Sequence, residues 1–322
     1  MEYRRLGNSG LKVSGIGLGA NEFGRRADES TSIAIVNRAL DLGVNFIDTA
    51  DLYSSGRSEE CVGMAIKGKR TQVVIATKFG NPTGGGPNDR GGSRNHIMVA
   101  TEASLRRLQT DYIDLYQVHK PDPTTPIEET LRALDDLQRA GKVRYIGCSN
   151  FASWQVCEAL WTSRVHGLAS FVTVQERFNM LERQVESEIV PCCQAYGVGV
   201  IPWGPLMGGF LTGKYRRGEK GPADGRLSVP NRTRSYRTDR IFTETNWDVL
   251  ERLEGFAGER GHTMAELALA WLLSKPWVSS VIAGARAPDQ VSANVTSAGW
   301  KLTADELAGV EGLLTCQNSE SG

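Results

Sequence analysis

Eight short runs of β-branched and apolar residues punctuate this chain, and the stretches between them carry the spacing of amphipathic helices. The runs are Ile16–Leu18, Phe46–Thr49, Val73–Thr77, Ile113–Val118, Val143–Cys148, Phe171–Val174, Val198–Ile201 and Val278–Ile282. Helical patterns lie near 30–42, 59–67, 95–108, 127–140, 153–166, 184–195, 264–274 and 288–297. A helix after every strand returns the chain to the same sheet edge, so successive strands run parallel, and eight such units can close on themselves. The length of 322 residues suits that closure, since α/β barrels commonly run about 250 residues or more as one unit. The expected fold is therefore α/β, a (β/α)8 TIM-type barrel forming a single domain over residues 1–322. A doubly wound nucleotide-binding sheet would alternate in the same way, but it needs a G-x-G-x-x-G turn between the first strand and the first helix, and none is present.

Two pieces fall outside the repeat. Tyr3–Val13, with Gly7-Asn8-Ser9-Gly10 at its centre, reads as a hairpin, and a helix is expected around Ala304–Leu314; each is placed to cover one barrel end. The segment 204–245 is far longer than the usual βα loop of about 2–6 residues, a length that marks function or disorder.

Charge and cysteine content narrow the function. Lys+Arg and Asp+Glu are equal at 37 each, which leaves no global field to attract nucleic acid or an anionic membrane. No run approaches the roughly 20 apolar residues of a membrane helix, and Met1-Glu2-Tyr3-Arg4-Arg5 lacks the apolar stretch of a signal peptide. Cys61, Cys148, Cys157, Cys192, Cys193 and Cys316 contain no C-x-x-C pair and read as neither a disulfide framework nor a zinc site. The expectation is a cytoplasmic, metal-free protein with a small-molecule ligand; a homo-oligomer is left open.

In a barrel the chemistry sits at the carboxyl ends of the strands. Asp48 ends the second run and Tyr53 lies just beyond it; Lys78 ends the third and His119 the fourth. Singly, each has an ordinary explanation: an aspartate as a helix cap, a tyrosine or histidine in packing. Lys78 is the least ordinary, because an unpaired ammonium at the end of an apolar strand is costly.

Together, and in this order, the four resemble the catalytic tetrad of the aldo-keto reductases. The resemblance spans nearly the whole chain through Gly141–Gly147, Ser149-Asn150-Phe151, Gln175, Pro202–Leu206 and Gly284 through Asn294. It implies reduction of an aldehyde, ketone or sugar-derived carbonyl, or oxidation of the matching alcohol. Charge developing on the carbonyl oxygen calls for a proton there, and Tyr53 would supply it. Lys78 is expected to lower the phenol's pKa, Asp48 to keep Lys78 charged, and His119 to orient the carbonyl.

The resemblance also assigns the cofactor site. Ser149, Asn150 and Gln175 would hold the nicotinamide carboxamide and Trp203 would stack on its ring. Gly204, Pro205, Leu206, Gly208 and Lys214, with an arginine from the basic segment 216–240 such as Arg226, would run along the pyrophosphate. Gly284, Arg286, Gln290 and Asn294 would meet the adenosine end. Gly284-Ala285-Arg286 before a helix starting near Pro288 offers amides and a guanidinium to an anion, which favours NADPH, with NADH as the alternative. Where many members carry serine this chain has Gly204; where many grip the 2′-phosphate with lysine and arginine it has Gly284 and Gln290, leaving Arg286 as the substitute. Ala293 replaces a glutamate that commonly meets the adenine. Substrate walls are expected from Phe23 or its neighbours, Tyr53, the Gly80–Asn95 loop and the region after Trp203, with Gly80–Gly92 expected to be mobile. Trp203–Leu206 and Gly213–Tyr215 also resemble the β-subunits of voltage-gated potassium channels, which keeps a cofactor-binding regulatory or redox-sensing subunit as the second reading.

Overall fold

The computed structural model describes residues 1–228 and 236–315. Eight parallel strands close a barrel: β3 (Ile16–Gly19), β4 (Phe46–Asp48), β5 (Val74–Phe79), β6 (Ile113–Val118), β7 (Val143–Ser149), β8 (Phe171–Arg177), β9 (Gly199–Trp203) and β10 (Val281–Gly284), with β10 returning to β3. Each overlaps one of the expected runs. The eighth is displaced because the chain changes partners within it: Val278 bridges Val200 of β9, whereas Val281 donates its N–H to Gly15 beside β3.

Strand side chains alternate between faces with a period of two, so residues two apart share the barrel interior. Phe46, Val74, Ala76, Leu115, Ile201 and Ile282 form the inner apolar cluster. One step further along the same inward rows stand Asp48, Lys78, Gln117 and Trp203. The site is thus the top polar layer of the barrel filling.

Below, β1 (Tyr3–Arg5) and β2 (Lys12–Ser14) pair antiparallel and drop Leu6 and Val13, both fully buried, into that inner cluster, closing the opposite end. Gly7, at φ +54°, is pressed on the strand starts; a Cβ there would stand 2.4 Å from the Val172 carbonyl oxygen. The second end-cover is not found among the described residues. Helix α11 (Ala304–Thr315) buries Val310 and Leu314 and packs on the helical layer, where Glu311 accepts from Trp271 Nε1 (2.9 Å) and Lys275 Nζ (2.8 Å).

The outer helices α1 (Glu29–Asp41), α2 (Arg57–Ala65), α3 (Arg94–Leu108), α4 (Ile127–Arg139), α5 (Ser153–His166), α6 (Ile189–Tyr196), α9 (Met264–Leu273) and α10 (Pro288–Ser297) lie where periodicity puts them, and a short α7 (Thr238–Ile241) stands in the long loop. Helix α8 (Glu244–Gly258) is an addition, capped by Thr243 and burying Trp247, Leu250, Leu253 and Ala257. No helix among the described residues is long and apolar enough to cross a membrane.

Candidate active site

A cavity of about 760 Å³ opens at the carboxyl ends of the strands. Asp48, Tyr53 and His119 line it, while Lys78 lies fully buried beneath. Lys78 Nζ donates to Asp48 Oδ2 at 2.6 Å, to the Thr49 carbonyl at 2.9 Å and to Tyr53 Oη at 3.4 Å. Asp48 Oδ1 accepts from Gln175 Nε2 (2.7 Å) and Gln117 Nε2 (3.3 Å), so the carboxylate is hydrogen-bonded on both oxygens. A buried ion pair with its lone pairs satisfied in this way is the arrangement that can offset desolvation.

Burial pulls the Lys78 pKa down, but Asp48 and Tyr53 outweigh it and the net shift is upward, keeping the ammonium charged. The expected lowering at Tyr53 does not result: burial of the phenol raises its pKa by more than the Lys78 charge lowers it. Lys78 therefore limits the rise instead of reversing it. Burial, with the charges of Lys78 and Lys120, pushes His119 down to about 3, so its imidazole is neutral near pH 7 and carries one N–H. The ring meets Tyr53 edge-on, with centroids 5.8 Å apart.

Tyr53 is set by the backbone that follows it. Ser54 and Ser55 both occupy the left-handed region, at φ 51° and 55°, a strain of about 1–3 kcal/mol each that persists only where the surroundings impose it. Ser54 Oγ holds the turn by donating to the Phe23 carbonyl at 2.8 Å. Phe23 itself is core and does not wall the cavity; its neighbours Asn21 and Glu22 do. From the Gly80–Asn95 loop only Asn81 lines the cavity. That loop is tied down by Gly91 N–H to the Gly80 carbonyl, and by Gly92 N–H and Gly86 N–H to Asp122 and Asp89.

At the proposed nicotinamide end, Ser149 Oγ donates to the Gln175 carbonyl (2.7 Å), and Asn150 Nδ2 donates to Ser149 Oγ (3.0 Å) and the His119 carbonyl (2.9 Å). These donors are thus engaged within the protein. What remains is Asn150 Oδ1 and Gln175 Oε1, which accept nothing among the described residues. Two free acceptors in a cavity that Trp203 also lines have the chemistry to receive the NH2 of a carboxamide.

Asn150 is itself strained, at φ 59°, and Glu176 braces the chain beside it by accepting the Phe151 N–H at 2.9 Å. Burial pushes the Glu176 carboxyl up to about 8 from 4.5. Between those values the unfolded chain binds fewer protons than the folded one, so this group's stabilisation is complete below the ordinary range and is lost as pH rises towards 8. Glu176→Gln keeps the acceptor but cannot ionise. Its Tm relative to wild type should rise between about pH 5 and pH 8; parallel Tm curves would exclude this role for Glu176.

The remaining expected residues, Gly204, Pro205, Leu206, Gly208, Lys214, Arg226, Gly284, Arg286, Gln290 and Asn294, all line the same cavity. Arg226 pairs with Glu22, and Arg286 Nη2 pairs with Asp224 at 2.8 Å, so two ion pairs strap the long loop to the neighbouring ends of β3 and β10. Burial and the charge of Arg286 lower the Lys214 pKa. The basic segment does not act as one. Arg216 pairs with Glu254, and Arg217 with Glu244, Asp248 and Glu251, all on α8; Arg237 pairs with Asp239. Arg232 and Arg234 lie outside the described residues.

Two features went unread in the sequence. Arg26 lines the cavity near Glu22. Asp51 is buried with neither carboxylate oxygen hydrogen-bonded, and burial with the nearby Glu59 charge pushes it up to about 7. Its position two residues before Tyr53 is the one sequence signal available.

Fold and site together define a (β/α)8-barrel protein with a buried carboxylate–ammonium pair beneath a cavity-lining phenol at the carboxyl ends of its strands. The sequence profile of the Aldo/keto reductase family matches residues 15–315, and the chain belongs to that family. It is 41% identical to a probable voltage-gated potassium channel subunit beta of Arabidopsis thaliana, over 92% of this chain and 90% of the relative. It is 35% identical to versiconal hemiacetal acetate reductase of Aspergillus parasiticus, over 97% and 96%. An aldo-keto reductase of Bacillus subtilis (strain 168) matches at 36% identity, over 98% and 94%.

Proposed function

We propose that this protein reduces the carbonyl of an aldehyde, ketone or sugar-derived substrate to the alcohol, reversibly, with NADPH as the reductant. The observation that carries the reading is the Tyr53 hydroxyl held 3.4 Å from the Lys78 ammonium at the cavity floor. When bound, the reduced nicotinamide supplies the hydride. Tyr53 supplies the proton to the oxygen as negative charge develops there, and Lys78 stabilises the phenolate that remains. His119, neutral, donates its N–H to the same oxygen and fixes the carbonyl's orientation. Asp48 holds Lys78 in place and charged. Asn150 and Gln175 would hold the carboxamide, and the Gly204–Gly208 turn with Lys214 and Arg226 would hold the pyrophosphate.

A panel of aldehydes and ketones, followed by loss of NADPH absorbance, tests the reading. Measurable turnover supports it. Negligible turnover with tight NADPH binding would favour the second reading, a cofactor-binding regulatory subunit, for which the relatives named as channel subunits speak.

The cofactor preference rests on Arg286 and the first turn of α10. A charge-assisted hydrogen bond contributes about 1.5–3 kcal/mol, so Arg286→Ala should weaken NADPH binding by about tenfold or more and leave NADH binding nearly unchanged. Equal weakening of both would remove Arg286 from the 2′-phosphate.

A further inference from the structure

The cysteines are far apart in sequence and without C-x-x-C spacing, yet the fold brings two of them together. Cys157 on α5 and Cys192 on α6 approach with their Sγ atoms 3.3 Å apart. Both are partly exposed, whereas Cys61, Cys148 and Cys193 are buried. Adjacent helical residues point about 100° apart, which is why Cys192 faces α5 while its neighbour Cys193 faces the core. The Cys192 thiol also lies 3.8 Å from the carbonyl of Ser153, the first residue of α5, three positions after Asn150.

We propose that Cys157 and Cys192 form a reversible thiol–disulfide site, a covalent clasp between α5 and α6 that takes a low-molecular-weight disulfide as its oxidant. A disulfide needs about 2.05 Å between sulfurs, so closure requires roughly 1.2 Å of approach, within reach of side-chain rotation and a small helix shift. The Cys157 thiolate attacks one sulfur of the oxidant, forming a mixed disulfide and releasing one small thiolate. Cys192, after losing its proton to solvent, attacks the Cys157 sulfur and expels the second small thiolate. In sum two protein thiols lose two electrons and two protons, and one small disulfide becomes two small thiols. Cys192 is the thiol turned toward the Ser153 carbonyl, which accepts from it at 3.8 Å and favours its protonated form, and burial pushes it in the same direction; Cys157 is therefore taken as the entry sulfur and Cys192 as the resolving one.

The test uses the full chain carrying Cys316→Ser, since position 316 lies outside the described residues, incubated folded with excess glutathione disulfide. Intact mass should fall by about 2 Da with no retained adduct, a peptide cross-link should join Cys157 to Cys192, and dithiothreitol should restore both thiols. Adding Cys192→Ser should leave one stable glutathione adduct on Cys157, and adding Cys157→Ser should abolish the cross-link. A persistent adduct on Cys157 when Cys192 is present, a cross-link to any other cysteine, or no loss of thiols in the folded protein would overturn the proposal.

Discussion

Tyr53→Phe is expected to lower kcat for carbonyl reduction by about 10²- to 10⁴-fold, the range a positioned general acid contributes, while the Kd for NADPH stays within about twofold. The split follows from the geometry. Tyr53 Oη takes part in one hydrogen bond, from Lys78, and Lys78 keeps its Asp48 and Thr49 partners at 2.6 and 2.9 Å when the hydroxyl is gone. The ring stays packed edge-on against His119. Nothing at the proposed cofactor end changes, because Asn150 bonds to Ser149 and His119 and Gln175 to Asp48, none of them to the Tyr53 hydroxyl. The pair of measurements is steady-state turnover and NADPH fluorescence titration. Turnover within tenfold of wild type would show that another group supplies the proton.

The barrel was legible because its signal is repetitive: eight runs separated by helical spacing leave few topologies, and Asp48 and Lys78 stand out as polar residues ending apolar strands. Their common inward direction was also implicit, since each is two residues beyond a buried inward neighbour, Phe46 and Ala76. Burial, by contrast, is a property of the closed fold, and it reverses the expected sign at Tyr53. The partners of the arginines of 216–240 are likewise set by the fold: the carboxylates balancing Arg216 and Arg217 stand on α8, whereas Arg226, the arginine named for the cofactor site, is the one among the described arginines of the segment that lines the cavity. The left-handed backbone at Ser54 and Ser55 has no simple sequence signature, because serine does not favour that region as glycine does. The juxtaposition of Cys157 and Cys192 arises only from helix packing, 35 positions apart.

Lys78→Met separates what the buried pair does for stability from what it does for catalysis. The substitution preserves approximate length and removes the charge, leaving the Asp48 carboxylate, only 3% exposed, with two glutamine donors and no cation. Breaking a buried pair at one end costs about 3–5 kcal/mol, so urea unfolding should show a loss of that order with an unchanged m-value. Adding Asp48→Asn removes the stranded charge while its amide oxygen can still accept from Gln175 and Gln117, and most of the stability should return. Activity should not return. Without the ammonium, burial and the neighbouring carboxylates all hold the phenol's pKa up, and a phenolate forming as the proton leaves has no compensating charge; both variants should stay at least about 10²-fold below wild type in kcat. A double variant no more stable than Lys78→Met alone would show that the two residues are not coupled. A double variant that regains turnover would show that Lys78 serves the fold and not the reaction.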